Sequence, residues 1–240
     1  MAISFSSRAA YLSHGIVAIA IFALILGVIF QSQFSFAVQA QELVKTAAVD
    51  TNTADAPATS PSEIFLELAA AVGQTAPAKR LVDYKLQFDP SSQPRYWAVV
   101  DFNQPSTSKR LYVFDTVGKK VNTYYVAHGR GSEGVRDDGM ADVFSNVNHS
   151  NSSSLGIYRT LNDYTGQHGR SLRLEGLEAT NSNALERAIV MHTADYVSES
   201  VIRQTGRLGR SQGCFTVERS VVDKLINELE NGAYIIASKS

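Results

Sequence analysis

Cys214 is the only cysteine in this chain of 240 residues, and it follows the short polar run at residues 209–213. A lone cysteine cannot form an intrachain disulfide, so in an oxidising compartment it is either buried and inert or kept as a reactive thiol. A structural cysteine would have apolar neighbours, whereas this run is small and polar, with Arg207 and Arg210 nearby. Such surroundings leave backbone N–H groups free and favour a thiolate. The pattern predicts a nucleophile.

A cysteine nucleophile needs a base, and His192 is the best placed of the histidines. An imidazole lowers the thiol pKa from its isolated value near 8.5 and can later protonate a leaving amine. His192 ends the apolar run 188–191, which predicts a strand that holds the ring at a sheet edge. His128 and His168 each precede a glycine and either line the cleft or end strands. His149, in a Ser/Asn-rich stretch, is interpreted as a surface residue.

Gly213, immediately before Cys214, suits the formation of an oxyanion hole. In acyl transfer, the oxyanion of the tetrahedral intermediate must meet donors that already point at it. A glycine just before the nucleophile lets the chain turn sharply, so that the N–H groups of Gly213 and Cys214 face one point. Together with His192, this predicts a cysteine acyltransferase or hydrolase. A zinc enzyme is disfavoured, because Cys214 and His192 are too few ligands and the sequence has no paired-Cys or His-x-x-x-His spacing.

The N-terminus predicts export. Residues 15–30 are an uninterrupted apolar run, preceded by Arg8 and followed by polar residues. Small residues at Val38 and Ala40 fit a signal-peptidase site, so residues 1–40 are expected to be a signal peptide cleaved before Gln41. The alternative is an uncleaved anchor, although the run is shorter than the ~20 residues that a spanning helix prefers. Either outcome places the remainder outside the cytoplasm, periplasmic or secreted.

Composition limits the remaining possibilities. Residues 41–59 are rich in Ala, Thr and Asp and are expected to be a linker, which leaves residues 60–240 as one domain. The net charge of −1, with both signs interspersed, gives no basic surface for nucleic acid, and membrane contact is expected only through an uncleaved leader. No phosphate-binding loop motif is present, and no cofactor or metal is expected.

The predicted elements are short strands between helices. Ser60, Pro61 and Glu63 form a capping box that opens a helix, and Ser220 with Asp223 resembles a second helix start. Runs rich in Val, Ile, Tyr and Phe predict strands. These lie at residues 96–102, 111–115, 121–127, 156–161, 171–174, 188–192 and 233–237. The expected fold is mainly β with short helices, a β-sandwich or a barrel-like domain.

These features together resemble the L,D-transpeptidase catalytic domain (YkuD-type), whose signature is a His followed later by Ser/Thr-His-Gly-Cys. The matching positions are His192, Ser211, Gly213 and Cys214. The resemblance covers most of the chain from about residue 60 and is closest to a divergent branch of the family. Gln212 replaces the motif histidine, and Thr216 stands where the main family usually has Arg or Asn.

The resemblance implies roles for these residues. Cys214 would be the nucleophile and His192 the general base and acid, with the oxyanion hole formed by Gly213 and Cys214 and a further backbone N–H from Gln212. The expected substrate-binding residues are His128, His168, Arg210 and Ser211. Arginine suits a stem carboxylate, because a guanidinium pairs with it bidentately.

The implied substrate is a peptidoglycan stem peptide, attacked at the bond after a diamino acid to give a thioester on Cys214. An amine from a second stem would complete a cross-link, and water would instead make the protein an L,D-carboxypeptidase or endopeptidase. A carbapenem is expected to acylate the same sulfur. A non-catalytic wall-binding protein that keeps the fold is the remaining alternative, because function lies in the site rather than in the fold.

Overall fold

The computed structural model describes residues 59–240, which contain nine strands and four helices. The expected signal peptide at residues 1–40 lies outside the described residues, as does the expected linker except for its last residue, Thr59. In the described part, no helix is both long enough and apolar enough to cross a membrane.

The helices and strands have the following bounds. The helices are α1 (Pro61–Ala71), α2 (Thr75–Phe88), α3 (Glu199–Thr205) and α4 (Val222–Leu229). The strands are β1 (Tyr96–Asp101), β2 (Leu111–Asp115), β3 (Lys120–Tyr124), β4 (Val126–Ala127), β5 (Gly156–Gly166), β6 (Gly169–Gly176), β7 (Val190–Thr193), β8 (Phe215–Val217) and β9 (Tyr234–Ser238).

All nine strands belong to one sheet, in the order β3-β2-β1-β9-β5-β6-β7-β8-β4. Most neighbours are antiparallel, whereas the β1–β9 and β7–β8 pairs are parallel. Strands β3 and β4 stand at opposite ends of this order, yet only Tyr125 separates them in the chain. The sheet therefore curls until its two edges nearly meet. This confirms the prediction of a mainly β, barrel-like fold with short helices.

The two faces of the sheet bury different clusters. Alternate residues of β1 point to opposite faces, so Val100 joins the inner cluster and Val99 joins the outer one. Helix α4 closes the inner cluster with Leu225 and Leu229. On the outer face, Phe65 of α1 stacks on Trp97 with ring centroids 4.7 Å apart. Burial on both faces explains why β1 is apolar throughout.

The predicted start of α1 is confirmed, because its capping hydrogen bonds are local. Ser60 Oγ accepts the Glu63 N–H at 3.2 Å, and Glu63 Oε2 accepts the Ser60 N–H at 2.7 Å. The second predicted cap is wrong: α4 begins at Val222 with Val221 as its N-cap, and no side chain caps it. The predicted strand at 121–127 is also divided, since Tyr125 separates β3 from β4.

Three elements were not predicted. Helix α2 buries Ala78, Leu81 and Val82 at helical spacing, but Lys85 occupies the next position of that stripe. Lys85 is buried because its Nζ donates to the Pro90 carbonyl at 2.8 Å, and this contact cannot be read from helical periodicity. Helix α3 has no buried residue, and β8 has only three residues, so neither produces a periodic signal.

Candidate active site

The parallel pair β7–β8 brings the predicted base and nucleophile together. His192 lies in β7, and Cys214 immediately precedes β8. The register places Met191 opposite Phe215 and His192 opposite Thr216. Side chains alternate along a strand, so Met191 and Phe215 enter the inner cluster, whereas Cys214 and Thr216 lie on the His192 side.

Ser211 organises the turn that carries the nucleophile. Its Oγ donates to the Cys214 carbonyl at 2.8 Å and accepts the Gly213 N–H at 3.1 Å. Gly213 has a φ of 122°, and a Cβ there would stand 2.8 Å from the Ser152 carbonyl oxygen and 2.9 Å from Ile189 Cδ1. Only glycine fits this position. Ser211 is 5% exposed, so its contacts are with the turn itself, and its predicted contact with substrate stays a prediction.

The turn alters the expected oxyanion hole. Because the Gly213 N–H donates to Ser211 Oγ, it does not point freely at a future oxyanion, contrary to the sequence-based expectation. The backbone N–H of Cys214 makes the smallest of the contributions that lower the thiol pKa against the larger rise from burial. Gln212 is exposed beside the cleft. The oxyanion role therefore stays a prediction for the N–H groups of Gln212 and Cys214, and for Gly213 only if its bond to Ser211 opens.

The thiol of Cys214 is neutral at rest. Its Sγ lies 3.6 Å from the Ala188 carbonyl oxygen, to which the S–H donates. Burial raises the pKa of Cys214, while the Val190 N–H and the charge of Arg187 oppose that rise without cancelling it. The structure does not favour the thiolate that the polar sequence predicts, because Cys214 is partly buried and burial raises the pKa of its thiol.

The imidazole of His192 is also neutral. The ring is 3% exposed, and burial lowers its pKa. Its Nδ1 lies 2.9 Å from the Thr193 carbonyl oxygen, which can only accept, so Nδ1 carries the proton and Nε2 is the basic atom. Thr216 Oγ1 donates to this Nε2 at 3.3 Å, and the Tyr196 hydroxyl donates to Thr216 Oγ1 at 3.2 Å.

His192 and Cys214 do not hydrogen-bond each other in this substrate-free arrangement, since each is held by other groups. Catalytic hydrogen bonds are often long without substrate and tighten when it binds.

His168 adds a second ring to the site. It lies in the turn between β5 and β6, and its imidazole stacks on His192 with centroids 4.4 Å apart. A direct contact of exposed His168 with substrate stays a prediction.

His128 lies beneath the nucleophile turn rather than in the cleft. Its ring is 1% exposed; Arg110 Nη2 donates to Nδ1 at 2.8 Å, and Nε2 donates to Glu133 Oε2 at 2.8 Å. An arginine only donates, so Nδ1 is unprotonated and the ring is neutral. Burial, reinforced by Arg110, lowers the pKa of His128 to about 4. The backbone carbonyl of His128 accepts the Ser211 N–H at 2.9 Å, which supports the turn. This burial favours an indirect role over the expected substrate contact.

Arg210 belongs to the same buried network. Its Nε donates to Glu133 Oε2 at 2.5 Å, and its Nη2 pairs with Asp137. Arg207 also pairs with Asp137, at 2.8 Å. Glu133 and Asp137 hold the Nε and Nη2 atoms of the Arg210 guanidinium, which ties most of its charge to the protein's own carboxylates. The predicted substrate contact is untested, and the geometry favours a structural role.

A polar cleft of about 550 Å³ adjoins the nucleophile turn. Its lining includes Arg130, His149, Glu186, Arg187 and Gln212, so it offers both signs of charge. The sequence places His149 on the surface and gives no signal for Arg187, because the neighbours of both residues in the chain do not indicate a cleft. Among residues 59–240, no three His, Cys, Asp or Glu side chains converge in a way that would hold a metal ion.

Fold and site define a barrel-like β domain with a cysteine and a histidine on one face of two parallel strands. The chain belongs to the L,D-transpeptidase catalytic domain family, whose model matches residues 71–237. This confirms the resemblance drawn from the sequence. A search of curated protein sequences found no match.

Three solved structures illustrate the similarity. An L,D-transpeptidase from Mycobacterium smegmatis is 11% identical, covering 60% of this chain and 59% of that one, with a TM-score of 0.36. One from Mycobacterium tuberculosis H37Rv is 16% identical over 61% and 58%, with a TM-score of 0.33. An LD transpeptidase in complex with imipenem is 10% identical over 60% and 59%, with a TM-score of 0.36. The chain thus spans less than two thirds of the length of these relatives.

Proposed function

We propose that this protein is an exported L,D-transpeptidase that forms a thioester between Cys214 and a peptidoglycan stem peptide. The observation that carries the proposal is the β7–β8 register, which sets Cys214 and His192 on one face of adjacent strands. The polar cleft beside the turn offers room for a peptide with charged groups. The predicted leader at residues 1–40 would deliver the domain to the periplasm or the exterior, where peptidoglycan lies.

The first half-reaction acylates the thiol. His192 Nε2 takes the Sγ proton as the sulfur attacks the carbonyl carbon of the bond after the diamino acid, forming a C–S bond and an oxyanion. The backbone N–H groups of Gln212 and Cys214 receive that oxyanion. When the intermediate collapses, the C–N bond breaks and His192 returns the proton to the leaving amine. Because thiol and imidazole are both neutral at rest, proton transfer accompanies the attack.

The second half-reaction consumes the thioester. An amine of a neighbouring stem attacks it, forming a new amide and restoring the thiol. If water attacks instead, the product is a shortened stem with a free carboxylate, and the same site is a carboxypeptidase or endopeptidase. A carbapenem would acylate Cys214 by opening of its β-lactam ring, and an imipenem complex is known for a related L,D-transpeptidase. None of these steps calls for a metal ion or cofactor.

The deciding experiment uses the purified full-length protein with a diamino-acid-containing stem tetrapeptide, followed by mass spectrometry of the products. Cross-linked dimers identify a transpeptidase, shortened stems identify a peptidase, and retained but unaltered peptide identifies a wall-binding protein. Cys214→Ala is the control and should form neither product. Product formation by Cys214→Ala at the wild-type rate would overturn the proposal, since Cys214 is the chain's only thiol.

A further inference from the structure

Arg187 lies at the centre of an unusual set of contacts next to the nucleophile turn. Its Nη1 donates to the Ser145 carbonyl at 2.7 Å, and its Nη2 donates to the Ser152 carbonyl and, at 3.3 Å, to Ser150 Oγ. Every one of these acceptors is a neutral oxygen of the loop at residues 145–152. The half-buried guanidinium therefore ties this loop to the segment that leads into β7.

Among residues 59–240, the charge of Arg187 has no carboxylate partner. Other arginines, such as Arg80 with Glu178 and Arg170 with Asp163, form ion pairs. Within the described chain, no carboxylate makes such a pair with Arg187, and the neighbouring Glu186 binds Asn148 instead. Removing a cation from water without an anion is unfavourable, and burial accordingly lowers the pKa of Arg187. The positive charge of Arg187 is therefore neutralised only when an anion forms nearby.

That anion can form at Cys214. A Cβ added to Gly213 would stand 3.2 Å from Arg187 Nη2, so the guanidinium lies directly against the residue before the nucleophile. Ala188, next in the chain, supplies the carbonyl oxygen that accepts the hydrogen bond from the Cys214 thiol. The charges of Arg187 and of an ionised Cys214 stabilise each other.

We propose that Arg187 is a positioning residue whose positive charge stabilises the negative charge that develops at the nucleophile turn, on the Cys214 sulfur as its proton leaves and then on the oxyanion of the bound substrate. The proposal rests on Cys214 being the nucleophile of the proposed function. The other titratable groups around the sulfur are Tyr158 from β5, Tyr196 from the loop after β7, and His192 with His168 stacked on it. None of these other groups is a permanent cation, whereas the guanidinium of Arg187 is one.

The test measures the pH dependence of Cys214 alkylation by iodoacetamide in the full-length protein, where a lone cysteine makes the readout specific. Arg187→Met removes the charge, and Arg187→Lys keeps it while losing the forked hydrogen bonds. We expect the Met variant to raise the thiol pKa by about one unit and to slow alkylation near neutral pH about tenfold. The Lys variant should retain the wild-type profile. Arg80→Met, which breaks a remote ion pair, is the matched control and should leave it unchanged.

Each result decides the question. Equal rises of the thiol pKa in the Met and Lys variants would show that only the hydrogen bonds matter, and an unchanged pKa in Arg187→Met would show that the charge does not; both overturn the proposal. Thermal unfolding reports whether each variant folds. If Arg187→Met fails to fold, Arg187→Gln replaces it, because glutamine removes the charge but keeps amide donors: a one-unit rise of the thiol pKa in Arg187→Gln, with a wild-type profile in Arg187→Lys, supports the proposal, and an unchanged pKa in Arg187→Gln overturns it. Stem-peptide turnover is assayed separately, so an Arg187-dependent thiol pKa without turnover would reject the proposed function but not this inference.

Discussion

Thr216 Oγ1 lies 3.3 Å from His192 Nε2, so the basic atom of the site is occupied by a hydroxyl proton before substrate arrives. Thr216 is fully buried, and the Tyr196 hydroxyl holds its Oγ1 from the other side at 3.2 Å. The register of the β7–β8 pair sets this contact. The base must exchange the Thr216 donor for the Cys214 thiol when the substrate binds.

Thr216→Val tests this contact, because valine has nearly the same shape but no hydroxyl. The Thr216 donor stabilises the neutral imidazole, so its loss should raise the pKa of His192 by about half a unit to one unit. The acidic limb of the kcat/KM profile for stem peptide should then move to higher pH. Thr216→Ser should restore the wild-type limb. An identical limb in wild type and Thr216→Val would show that the hydroxyl does not act on the imidazole.

The wild-type enzyme should have a broad pH optimum. His192 must be unprotonated to accept the thiol proton, and burial lowers its pKa, so activity should persist below the ordinary histidine value of about 6.5. Burial raises the pKa of Cys214, which places the alkaline limb above the ordinary thiol range. A kcat/KM profile from acidic to alkaline buffers measures both limbs. A narrow maximum with its acidic limb above neutral pH would contradict these environments.

Substitution of Cys214 should abolish acyl transfer. Cys214→Ser should lose several orders of magnitude in turnover, because a serine alkoxide is far harder to generate than a thiolate at neutral pH. Intact-mass measurement after carbapenem treatment should show one adduct on the wild type and none on Cys214→Ala. An adduct that persists on Cys214→Ala would place the reactive group elsewhere.

Protonation of His128 should destabilise the domain in acid. The folded pKa of about 4 lies below the unfolded value of about 6.5, so the unfolded state binds more protons between these values. The contribution of neutral His128 to the stability of the fold is therefore present above the unfolded pKa and is lost as the pH falls. Between about pH 7 and pH 5, His128 should account for a loss of about 2 kcal/mol in the free energy of unfolding. Urea unfolding at both pH values, compared with His128→Gln, measures this loss; equal losses in the two proteins would exclude His128.

Processing is tested at the N-terminus. If residues 1–40 are a signal peptide, protein recovered from the periplasm or the medium should begin at Gln41. N-terminal sequencing of the envelope fractions supplies the measurement. A membrane-pelleted protein that keeps residues before Gly15 would instead show an anchor.

Features with local causes were readable from the sequence. The capping box at Ser60 and Glu63 needs only residues three apart, and the composition of β1 and β2 is enough to predict them as strands. The lone Cys214 after a glycine, together with the strand-end His192, indicated acyl-transfer chemistry and the family that the model match at residues 71–237 confirms. Side-chain type and short-range spacing are enough for such conclusions.

What the tertiary structure decided depends on burial and on partners distant in the chain. The direction of the Cys214 pKa shift follows from loss of water around the sulfur, which a polar sequence does not show. Likewise, the structure shows that His128 is buried and hydrogen-bonded between Arg110 and Glu133. Arg187 joins the site only because the fold brings residues 145–152 against β7, and the free energies of such contacts depend on distances that sequence spacing does not determine.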